Sequence, residues 1–87
     1  MIHLSDTRCD VRPSEFTTDD LARVTCLVCC NAVEPIYSVE HDYRPMYHSS
    51  FTVTRITERG PVEAMILSAT PGDALVWAIT HPSIFER

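Results

Sequence analysis

Eighty-seven residues with a net charge of −5 and 45% hydrophobic content make one small domain with a marginal core. Disorder is excluded for most of the length, and the longest apolar run, Ala74 to Ile79, is far short of the roughly 20 residues that span a bilayer. The seven cationic side chains are all arginine and never cluster, which argues against simple binding to a nucleic-acid duplex.

In chain order, Met1 to about Ala32 is polar, broken by Pro13, and holds all four cysteines. Thr17-Thr18-Asp19-Asp20 has the hydroxyl cap and early acids of a helix start, and predicts one turn over Asp19–Arg23. Beyond Glu34-Pro35 the composition turns β-prone. Short strands are expected over Ile36–Glu40, Ser50–Thr57 and Val62–Ala69, with a loop at His41–His48 and a turn at Glu58–Pro61. Thr70-Pro71-Gly72-Asp73 fits either a helix cap or a β-turn. The alternation of Leu75, Trp77 and Ile79 with Val76, Ala78 and Thr80 favours the turn and a further strand, with Trp77 in the core. Ile84 and Phe85 are expected to pin the C-terminal tail. The fold class is therefore a strand-dominated α+β domain. A three- to four-stranded antiparallel meander over residues 34–87 carries an N-terminal metal-held segment over residues 1–33.

One arrangement demands a specific chemistry. Cys26-Leu27-Val28-Cys29 has the two-residue gap that lets both thiolates reach one tetrahedral ion, and His3 and Cys9 supply two further ligands. Cys30 and His41 are alternatives for the fourth position, and cysteines that simply pack as small hydrophobes are the competing reading. A His/Cys₃ set around Zn²⁺ is coordinatively complete and hence structural. Three thiolates and one Zn²⁺ add about −1 to an already acidic chain.

The wider pattern His3-Leu4, Arg8-Cys9, Thr17-Thr18-Asp19 and Val24-Thr25-Cys26-x-x-Cys29 resembles the zinc-finger-like segment of small proteins that recur in actinobacteria and their phages, most without assigned function. The resemblance covers about residues 3–30. It departs at Asp10, where those proteins usually carry glycine. The absence of lysine suits a GC-rich source of that kind. A phage origin would imply a host protein as target.

Among the remaining residues, Tyr43, Arg44, Met46 and Tyr47 form an arginine-bearing aromatic loop that either anchors itself onto the small sheet or offers a contact to another protein or a second copy of the chain. Glu40 and Asp42 beside it deny the basic track that single-stranded nucleic acid needs. His41, Asp42 and His48 make no defensible catalytic set, and neither a phosphate-binding loop nor a carboxylate pair is present. The sequence therefore predicts a non-enzymatic, zinc-stabilised protein-interaction module, with a nucleic-acid-binding zinc-finger-like protein as the alternative. Without a secretory signal pattern the expected location is the cytoplasm, where thiols stay reduced.

Overall fold

The structure, a computed structural model, describes residues 1–5, 9–42 and 50–86. The fold is a strand-dominated α+β arrangement: a parallel pair, β1 (Ile2–Leu4) and β2 (Phe16–Thr18), and a three-stranded antiparallel sheet, β3 (Tyr37–Asp42), β4 (Ser50–Thr57) and β5 (Gly60–Leu67). Helix α1 (Leu27–Asn31) and helix α2 (Pro71–Thr80) complete it, with single 3₁₀ turns at Leu21–Arg23 and Pro82–Phe85.

The meander follows from alternation. In register, Tyr37, Val39 and His41 on β3 meet Arg55, Val53 and Phe51 on β4, which meet Val62, Ala64 and Ile66 on β5. That set turns toward the helices, while Ser38, Glu40, Thr52, Thr54, Glu63, Met65 and Leu67 take the other face. The β4–β5 hairpin closes at Gly60, whose φ of +104° is the only positive value among the described residues. A side chain there would meet open space, so glycine answers a conformational need and not a steric one.

Residues 74–81 correct the expectation of a strand. Thr70 Oγ1 accepts from the Asp73 N–H at 3.0 Å, and Pro71 occupies the first turn, where its missing N–H is harmless. Helical spacing then places Pro71, Ala74, Leu75 and Ala78 on one buried stripe. β-Propensity in Val76, Trp77 and Ile79 loses to the cap and to that stripe. Trp77 is accordingly not core. It is 42% exposed and stacks on His81, with ring centroids 4.2 Å apart at 14°. Phe85, by contrast, is buried, packing edge-to-face on Tyr37 at 5.9 Å.

The start of α2 is also where the N-terminal segment meets the body. Thr70 Oγ1 donates to Ala22 O at 2.5 Å, and Gly72 N–H donates to Val24 O at 3.1 Å. A Cβ on Gly72 would stand 1.9 Å from Leu21 O and 2.9 Å from Val24 O, both backbone atoms with little room to retreat. On the other side of the segment, Asn31 joins α1 to β3. Its amide donates to Leu27 O at 2.9 Å and Val39 O at 3.1 Å, and its carbonyl accepts from Val39 N–H at 2.8 Å.

These two junctions carry a prediction. Gly72→Ala should destabilise the metal-loaded protein by on the order of 3 kcal/mol in chemical denaturation, because the helix must lift from the 3₁₀ turn. A variant as stable as the parent would show that this approach is not close in solution.

Candidate metal centre

His3, Cys9, Cys26 and Cys29 converge, with their ligand atoms all within 4.8 Å of one another. His3 sits mid-strand in β1 and is buried. Strand β1 is fixed to the Cys26 region at three points: Ile2 N–H donates to Thr25 Oγ1 at 2.7 Å, and Ile2 O accepts from Thr25 N–H and Cys26 N–H at 3.0 and 3.2 Å. Cys26 caps α1, and Cys29 projects from its first turn. The parallel pairing of β1 with β2 requires a long crossover, residues 5–15, and this connection returns Cys9 and Glu15 to His3.

Three of the six donor separations match those of a tetrahedral ligand shell. Donors around a tetrahedral zinc, about 2.3 Å away for sulfur and about 2.05 Å for nitrogen, stand about 3.8 Å apart for two sulfurs and about 3.6 Å for sulfur and nitrogen. Cys9 Sγ lies 3.9 Å from Cys26 Sγ and 3.6 Å from Cys29 Sγ, and Cys29 Sγ lies 3.5 Å from His3 Nδ1. All four cysteines are free thiols. These residues could hold a metal ion as they stand.

The other histidine nitrogen completes the picture. His3 Nε2 is 3.0 Å from Glu15 Oε2, in ion-pair range although not aligned as a hydrogen bond. Glu15 Oε1 accepts from Arg12 N–H at 3.1 Å. A carboxylate behind a ligating imidazole fixes its tautomer and ring orientation. The sequence gives no signal for Glu15, because its role depends on the crossover that brings it back.

In the metal-free chain, Glu15 and then Cys29 hold the His3 pKa above its ordinary 6.5. The Arg12 amide and then His3 hold Glu15 below its ordinary 4.5. The pair therefore contributes its full stabilisation to the metal-free fold between pH 4.5 and 6.5. That contribution falls away as pH rises through the raised His3 value or drops through the lowered Glu15 value. Metal binding instead strengthens as pH rises, since the ion must displace the imidazole and thiol protons.

Cys30 and His41, the alternatives for the fourth position, lie outside the cluster. Cys30 is 1% exposed within the core, and burial, then the neighbouring Cys29 and Cys26 sulfurs, push its thiol up to about 12. His41 packs edge-to-face on Phe51 at 5.1 Å. The loop residues Tyr43, Arg44, Met46 and Tyr47, together with His48, lie outside the described residues.

Comparison with known protein families, with curated proteins and with solved structures finds no match to this chain. The functional reading rests on the chain's own residues.

Two outcomes test the centre. Cys26→Ser and Cys29→Ser should abolish stoichiometric metal, read by elemental analysis, whereas Cys30→Ala should retain it. Glu15→Gln should weaken metal affinity by roughly 10- to 100-fold. It should also flatten the loss of affinity on acidification near and above pH 6.5, because the proton on His3 is then held less firmly. Unchanged affinity and pH dependence in Glu15→Gln would remove its assigned role.

Proposed function

We propose that this chain is a non-enzymatic protein-interaction module whose N-terminal segment is stapled by structural zinc. The donor set supports zinc: three thiolates and one imidazole within 4.8 Å of one another suit a borderline-soft ion, and a shell closed by four protein donors would leave no position for substrate or water.

Exposed apolar side chains on the outer face of the β3–β5 sheet carry the interaction reading. Ile56, Met65 and Leu67 are exposed there, at 54, 54 and 65%, around the half-buried Thr52 and Thr54. The outward set contains Glu40 and Glu63 and no arginine, so the face suits a partner that offers apolar surface rather than phosphates. The fold measures 44 × 30 × 17 Å and exposes 6066 Å², against about 5,200 Å² for a compact chain of this mass. A flat fold with exposed apolar side chains on one sheet face has surface to lose to a partner. Among the described residues no helix is long and apolar enough to cross a membrane.

The test is affinity capture on metal-loaded protein, followed by reassembly with the purified partner. Met65→Glu and Leu67→Glu, both at exposed positions, should leave thermal stability within about 0.5 kcal/mol of the parent and abolish reassembly. Sedimentation of the free chain distinguishes a second copy from a different partner. Micromolar binding to nucleic acid that weakens steeply with salt would instead favour the zinc-finger-like alternative.

A further inference from the structure

At the hairpin end of the sheet a groove of about 580 Å³ opens between the β4–β5 hairpin and the 3₁₀ turn Pro82–Phe85. Its volume falls in the range of small-ligand sites. None of the four metal-site residues lines it. Its apolar lining comes from Ile56, Val62 and Phe85, and its charged lining from Arg55, Arg59, Glu58 and Glu86.

Arg55 is the unusual member. Register places it on the helix-facing side of the middle strand, between Tyr37 and Val62. Its guanidinium carbon lies 5.8 Å over the Tyr37 ring, and that ring meets Phe85 edge-to-face. Arg55 Nε is fully buried and has no hydrogen-bond partner among the described residues. Arg55 lines the groove, and a guanidinium fork matches a carboxylate. The charges around the groove limit what its ligand can be. Two arginines and two glutamates sum to zero, so a dianion would meet the rim carboxylates as well as Arg55. A single negative charge on an apolar body satisfies both halves of the lining.

We propose that this groove binds a monocarboxylate carried on a compact apolar group, the chemistry of a peptide C-terminus that ends in a hydrophobic residue. Arg55 takes the carboxylate, and Phe85 and Val62 take the side chain. The site is separate from the metal centre and meets the outer sheet face only at Ile56, away from Met65 and Leu67, and stands whether or not the interaction reading holds.

The probe is N-acetyl-leucine, titrated into metal-loaded protein and followed by NMR at the Arg55 Nε–H and the Val62 and Phe85 amides. N-acetyl-leucinamide, inorganic phosphate and an acetylated tripeptide ending in leucine serve as the other arms. Saturable shifts with a dissociation constant on the order of millimolar are expected for so small a ligand. The tripeptide acid should bind more tightly than N-acetyl-leucine, and the amide at least tenfold more weakly. Arg55→Gln should lose the acid's advantage over the amide. Glu86→Gln leaves the aromatic floor intact and should strengthen acid binding on the order of twofold by removing a rim charge, which keeps the test decisive if Arg55→Gln does not fold. Equal binding of acid and amide, preferential binding of phosphate, no gain from Glu86→Gln, or no saturable shift at concentrations well above millimolar would each overturn the proposal. A free acid favoured over its amide without any gain in the tripeptide would overturn the peptide assignment.

Discussion

Where Cys26 and Cys29 point determines how the first third of the chain is held. Among the described residues between Met1 and Asn31, regular structure amounts to two three-residue strands, one 3₁₀ turn and a five-residue helix, none of them stable alone. Four side chains from three stretches of this segment meet at one point. An ion there would cross-link β1, the crossover and α1 at once. In so small a chain, where a hydrophobic core is marginal, such a staple supplies what area burial cannot.

The centre is tied to the body on two sides. Through Val24 and Ala22, next to the Cys26 turn, the segment docks on the first turn of α2, with Gly72 permitting the approach. Through Asn31, at the end of α1, it docks on β3. Val24, Cys29 and Cys30 are as deeply buried as Val39, Val53 and Leu75 of the body. Loss of an ion bound there would therefore threaten more than the arm, because the packing of α2 and β3 shares these contacts.

Much of this was legible in the chain, for identifiable reasons. β4 announces itself because Phe51, Val53 and Ile56 are strand formers interleaved with threonines, and Gly60 punctuates the hairpin. The convergence of His3, Cys9, Cys26 and Cys29 was readable because ligand chemistry constrains residue type and spacing together. Helix α2 was not, since its β-branched and aromatic residues alternate by chance while the buried stripe is made of Pro71, Ala74, Leu75 and Ala78, two of them too small to signal a core. Trp77 was misread with it. Glu15 and Asn31 are ordinary polar residues by sequence and gain their roles only from where the crossover and α1 place them. The parallel pairing of β1 with β2 has little apolar signature: Phe16 is 69% exposed, and besides Leu4 against the core the pair is held by backbone bonds and by what His3 reaches.

The most direct test is X-ray absorption at the zinc edge on protein purified with its native metal. The account predicts one zinc per chain with three sulfur scatterers at about 2.3 Å and one nitrogen at about 2.0–2.1 Å. A folded protein without metal, or a zinc shell containing water oxygen in place of sulfur or imidazole, would contradict it.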